Sequence, residues 1–125
     1  MRLLLDTHIL YWWLVDDARI SDEERHMISD AEAALVSTAS IWEMSLKRTI
    51  GKLKVPDDLP SQLSRHDFAV LPVHLDHALR VGELPPLHRD PFDRMLVAQA
   101  QLEELVIATQ DPRIAQYGVP TVPEN

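Results

Sequence analysis

Four carboxylates occupy comparable places in this chain: Asp6, Glu43, Asp93 and Asp111. Asp6 ends the run Arg2-Leu3-Leu4-Leu5, which has no polar alternation and reads as a short strand buried on both faces. Asp111 follows the apolar run Leu105-Val106-Ile107-Ala108-Thr109 in the same way. Glu43 lies in a helix, one turn beyond the apolar strand Ala34-Leu35-Val36-Ser37. Asp93 opens a helix whose inward stripe continues through Leu96, Val97 and Ala100. Each acid has an ordinary alternative use. Asp6 could help Thr7 cap the first helix, Ser40 and Glu43 could form a capping box, Asp93 could partner a capping Asp90, and Asp111 could be a turn residue before Pro112. Four acids on one rim are harder to explain this way, because like charges at close range repel unless a cation neutralises them. Carboxylate oxygens with no cysteine or histidine cluster favour a hard ion, Mg²⁺ or Mn²⁺.

Alternating strands and helices must position these groups. Thr7 is expected to cap a helix carrying Ile9, Leu10, Trp12, Trp13 and Leu14, and Ser21 with Asp22, Glu23 and Glu24 opens a second helix to about Ala31. The third runs from Thr38 to Ile50 before Gly51, with Ala39, Trp42, Leu46 and Ile50 as its apolar stripe. A short helix through about His66 leads to a third strand, Phe68 to Val73, placed nearer an edge by its proline. His74 to Glu83 is a helix with Leu75, Ala78, Leu79 and Gly82 on one side. His74 and His77 have i, i+3 spacing but no third ligand, which argues against a zinc site. After the stiff connector Leu84 to Arg89, Asp90 as cap and Pro91 in the first position start the next helix, which ends near Glu104. A short helix to Tyr117 and a last strand around Val119 to Val122 complete the chain. The pattern predicts an α/β fold: a parallel sheet of four or five strands, right-handed crossovers, and helices on both faces. In such a sheet, ligands bind at the carboxyl ends of the strands.

Residues 1–125 are expected to form a single domain, large enough to bury its own core. With 46% hydrophobic and 26% charged residues, the composition is that of an ordinary globular protein. The absence of cysteine excludes disulfides and thiolate metal sites and fits a reducing cytoplasm. No apolar run approaches the roughly 20 residues needed to span a bilayer, so a soluble cytoplasmic protein with no membrane association is expected. A net charge of −8 argues against broad electrostatic binding to nucleic acid, so any such function must rest on a local site. Two features soften that objection: a cation-loaded acidic cluster is less negative than its sequence implies, and Lys47, Lys52 and Lys54 gather beside Arg48.

Over nearly its whole length the sequence resembles PIN-domain ribonucleases, in particular the VapC-type toxins of toxin–antitoxin pairs. The resemblance is carried by Leu4-Leu5-Asp6-Thr7-His8, by Ser40-Ile41-Trp42-Glu43-Met44-Ser45-Leu46-Lys47 with Gly51-Lys52-Leu53, by His88-Arg89-Asp90-Pro91-Phe92-Asp93-Arg94-Met95-Leu96-Val97-Ala98-Gln99-Ala100, and by Val106 to Asp111. It implies a three-layer α/β/α fold and hydrolysis of RNA by metal-activated water, with one or two Mg²⁺ or Mn²⁺ ions held by Asp6, Glu43, Asp93 and Asp111. It further implies a homodimer and a cognate antitoxin that blocks the acidic pocket. Within that scheme Thr7, Thr109 and Asp90 would support the ligands, and Arg94, with Lys47 behind it, would hold the scissile phosphate. The first helix is apolar around much of its circumference, which points to it as an interface. Two other readings stay open. A receiver-like signalling domain also gathers acids around Mg²⁺ but needs a late lysine, and none follows Lys54; a catalytically silent binding module would keep the fold alone.

Overall fold

Leu3, Leu4 and Leu5 alternate between two cores, as period-two geometry requires. Leu3 and Leu5 meet Ile9, Leu10, Val36 and Met44 on one side, while Leu4 meets Leu96, Val97, Ile107 and Ile114 on the other. All three leucines are fully buried. Each such burial stabilises the fold by about 1.5–3 kcal/mol, which is why an unbroken apolar run belongs at the centre of the sheet. The computed structural model describes residues 1–123 and has this strand, β1 (Arg2–Leu5), third in a five-stranded sheet of order β3-β2-β1-β4-β5. The others are β2 (Ala33–Ser37), β3 (Phe68–Leu71), β4 (Val106–Ala108) and β5 (Thr121–Val122), and every pairing is parallel. As its proline led us to expect, β3 lies at an edge.

The helices are α1 (Thr7–Leu14), α2 (Asp22–Asp30), α3 (Thr38–Thr49), α4 (Leu59–Arg65), α5 (Leu75–Glu83), α6 (Pro91–Glu103) and α7 (Pro112–Ala115). Residues of α1 to α4 cover the first core and residues of α6 and α7 the second, which makes the three layers of the expected α/β fold. From β1 the chain moves outward to β2 and β3, then crosses back to place β4 on the other side of β1. The carboxyl ends of β1 and β4 therefore flank the point where the winding direction reverses.

Several local expectations change. Asp6, not Thr7, is the N-cap of α1, and its Oδ1 accepts from the Ile9 N–H at 2.7 Å. Ser37 caps α3, so Ser40 and Glu43 form no capping box; Ser40 instead accepts a hydrogen bond from the Thr7 hydroxyl at 3.0 Å. The buried face of α3 is Ala39, Ser40, Glu43 and Met44, while Trp42 and Ile50 stand 62% and 65% exposed. Leu75 and Leu79 of α5 are likewise 77% and 63% exposed. The apolar stripes of α3 and α5 thus face outward, apart from Ala39. The first helix is the opposite case: Trp13 packs edge-on against His66 and Phe68, and Trp12 stacks on His8 beneath the Arg19 guanidinium. Its tryptophans are half-buried within their own chain, so the large exposed apolar surface belongs to α3 and α5. His77, with no exposed surface, accepts the His74 N–H at Nδ1 and meets Glu103 Oε1 at 2.9 Å through Nε2. It fastens α5 to α6.

Candidate active site

Asp6 must leave β1 in an extended conformation to cap α1, and that cap directs its carboxylate over the strand end. Its backbone N–H donates to the Ala108 carbonyl at 3.0 Å, which holds the ends of β1 and β4 side by side. Thr109, the first residue past β4, donates its hydroxyl to Asp6 Oδ2 and accepts the Asp111 N–H at 2.9 Å. One hydroxyl thereby fixes two of the acids. Asp6 is only 3% exposed, and burial pushes its carboxyl up to about 6 against the pull of the Thr109 and Ile9 hydrogen bonds.

Glu43 reaches the same end of the sheet because α3 starts directly from β2 and turns this residue inward. Lys47, one turn later, bonds Oε2 at 2.7 Å. Oε1 is buried with no hydrogen-bond partner. A buried carboxylate oxygen without a donor is costly, and a cation is its natural complement. Asp93 comes from the first turn of α6, after the Asp90 cap that accepts the N–H groups of Phe92 and Asp93. Its carboxyl is raised above the ordinary range chiefly by burial and further by the charges of Asp90 and Glu43, and the hydrogen bond with His88 works against that. Asp6 and Asp93 also feel each other's charge. Asp111 caps α7 and is gripped by Arg113 at 3.1 and 2.9 Å, which holds its carboxyl below the usual range. One oxygen each of Asp93 and Asp111 and a ring nitrogen of His88 lie within 4.8 Å of one another.

The structure therefore brings the four expected acids together at one end of the sheet. It places the expected phosphate cations differently. The Arg94 guanidinium donates to the carbonyls of Val81, Leu84, Pro85 and His88 and to the Tyr117 hydroxyl, at 3.0 to 3.5 Å. It anchors the Leu84–Arg89 connector through both terminal nitrogens, which are thereby engaged within the protein. Lys47 is bound to Glu43. Arg113 is an exposed guanidinium beside the acids, within electrostatic reach of Asp93 and Asp90 as well as Asp111. Sequence reasoning assigned no role to Arg113 or His88. The histidine opens the third motif, two residues before Asp90, in a stretch whose prolines mark it as a connector.

The donor set fits a hard divalent ion: three inward carboxylates, one with an orphaned oxygen, and a fourth held by an exposed arginine. Asp6, Glu43 and Asp93 would hold it, with Asp111 and His88 at the near side.

Known proteins share this architecture. The chain is 26% identical over 121 residues to Ribonuclease VapC22 of Mycobacterium tuberculosis, an alignment covering 94% of this chain and 93% of that protein. Among solved structures, VapBC2 from Rickettsia felis bound to a promoter DNA fragment superposes with a TM-score of 0.72 at 14% identity, covering 97% of each chain. FitAcB from Neisseria gonorrhoeae superposes with a TM-score of 0.68 at 18% identity, covering 95% of each. At such identities the superpositions establish the fold. Residues 3–120 match the family model of the PIN domain, and the chain belongs to that family.

Proposed function

We propose that this protein is a metal-dependent endoribonuclease that acts as the toxin of a toxin–antitoxin pair. The observation that carries the reading is the buried, unpartnered Glu43 Oε1 set among carboxylates whose burial penalises their charge. Such a pocket is stabilised by a cation and strained without one. The similarity to Ribonuclease VapC22 supports RNA as the substrate class, and the fold shared with VapBC2 supports an antitoxin as the partner.

Bound Mg²⁺ or Mn²⁺ would supply Lewis acidity, lowering the pKa of water and stabilising charge on the phosphate in the transition state. The residues do the rest. Asp6, Glu43 and Asp93 would hold the ion, and Asp111 would complete the set. Thr109 keeps Asp6 and Asp111 in register, Thr7 ties the start of α1 to Ser40 of α3, and Asp90 fixes the turn that aims Asp93. Lys47 orients Glu43. Arg113, once it releases Asp111, is the cation placed to meet an RNA phosphate.

The exposed apolar residues Trp42, Leu46 and Ile50 of α3 and Leu75 and Leu79 of α5 support a homodimer. No helix among the described residues is long and apolar enough to cross a membrane. Incubation of total cellular RNA with the purified protein in Mg²⁺ or Mn²⁺, in EDTA, and with the Asp93→Asn variant tests the activity. Cleavage is expected only for the wild type with metal, and no 2′,3′-cyclic phosphate ends should form, because water is the nucleophile. Cleavage that survives Asp93→Asn, or cyclic phosphate products, would overturn the proposal.

A further inference from the structure

His88 does more than close the loop before α6. Its backbone N–H donates to the Tyr117 hydroxyl at 3.0 Å, and its own carbonyl is bonded by Arg94, so both sides of the residue are anchored. The side chain is only 7% exposed, and Nε2 stands 2.8 Å from Asp93 Oδ2. That spacing is close to the roughly 3 Å between neighbouring donors on an octahedral ion with bonds near 2.1 Å. A carboxylate oxygen of Asp111 completes a triangle with these two atoms. The cluster is not merely acidic: it contains a buried imidazole, and it shares Asp93 with the pocket where Glu43 Oε1 lacks a donor.

We infer that His88, Asp93 and Asp111 form a second cation position containing nitrogen, which takes Mn²⁺ in preference to Mg²⁺. The inference rests on the carboxylate–metal reading above and deepens it. Asp93 would be shared between this position and the one formed with Asp6 and Glu43. When the ion binds, the neutral imidazole carries its one proton on Nδ1 and turns its Nε2 lone pair to the metal. Arg113 must give up one oxygen of Asp111; its side chain is 61% exposed, so an exposed ion pair worth little is all that is lost. Imidazole suits transition ions, whereas Mg²⁺ keeps to oxygen donors and water. A carboxylate-only site lacks that discrimination.

Electron spin echo envelope modulation of Mn²⁺ bound to the whole protein reads a ligating nitrogen directly. Wild type and His8→Gln should both show ¹⁴N modulation, and His88→Gln should lose it while still binding Mn²⁺. Calorimetric titrations with Mn²⁺ and Mg²⁺ should show the wild-type preference for Mn²⁺ falling by about tenfold or more in His88→Gln. If that variant does not fold, histidine-selective ¹⁵N labelling of the His8→Gln protein replaces it, and the modulation should move to the ¹⁵N frequency. Bound Mn²⁺ without nitrogen modulation, or modulation that persists in His88→Gln, would overturn the inference and leave the carboxylate site standing. Absence of any Mn²⁺ binding would overturn both.

Discussion

Replacing a buried acid of the candidate site should stabilise the metal-free protein, and Asp6 allows the size to be worked out. Moving a 3%-exposed carboxyl from 3.8 in the unfolded chain to about 6 in the folded one costs the ionised form about 3 kcal/mol. Asp6→Asn removes that penalty at pH 7.5. The amide oxygen can still accept from Ile9, and the loss of a charged acceptor for the Thr109 hydroxyl is already contained in that figure. A gain of about 3 kcal/mol corresponds to a rise in Tm of roughly 9–15 °C for a chain of this size. Between about pH 4 and pH 6 the folded wild type holds a proton on Asp6 that the unfolded chain has released, so its stability falls as pH rises through that window. The Asn variant lacks this slope, and the two proteins should converge near pH 4. Thermal melts in EDTA from pH 4 to 8, repeated in saturating Mn²⁺, measure all of this. Metal should close or reverse the gap, because only the wild type gains the binding free energy, about 2.7 kcal/mol at a hundred times Kd. If Asp6→Asn melts below the wild type in EDTA at pH 7.5, or if the gap does not depend on pH, the account of Asp6 as a strained ligand is wrong.

Thr109→Val removes the hydroxyl joining Asp6 to Asp111, and metal affinity by calorimetry should fall about 10–100-fold. Arg94→Ala should lower stability by about 2 kcal/mol in urea unfolding by freeing the Leu84–Arg89 connector; the same variant should leave the salt dependence of RNA binding unchanged, whereas Arg113→Ala should flatten it. Leu79→Asp, on the exposed face of α5, should shift the protein from dimer to monomer in sedimentation, with monomer stability within about 0.5 kcal/mol of wild type. A monomeric wild type would remove the dimer proposal.

The sheet was legible because buried parallel strands are short apolar runs, and those ending at Leu5, Ser37 and Ala108 had no competing pattern. The acids were legible through their places relative to those strands. Amphipathicity misled on α3 and α5, because a hydrophobic stripe records that a face avoids water, not whether its own core or another chain covers it. Trp42 and Leu79 lie on the apolar stripes the sequence shows and are exposed, while Glu43 is among the most buried residues of α3. Trp12 and Trp13 erred the other way, since His66, Phe68, Arg19 and Arg25 arrive from distant positions to cover them. Arg94 follows Asp93 in sequence, but about 100° of helical turn separates neighbours, and the Leu84–Arg89 connector lies on its side. His88 belongs to an irregular connector and Arg113 to the single-turn helix α7, too short for periodicity to reveal where its side chains point.

The most direct test is to measure Mn²⁺ occupancy and RNA cleavage in the same samples across a metal titration, for wild type and Asp93→Asn. The account requires cleavage by the wild type to rise in step with occupancy, and Asp93→Asn to lose both. Wild-type cleavage that is complete before metal binds, or Asp93→Asn cleaving at the wild-type rate, would contradict it.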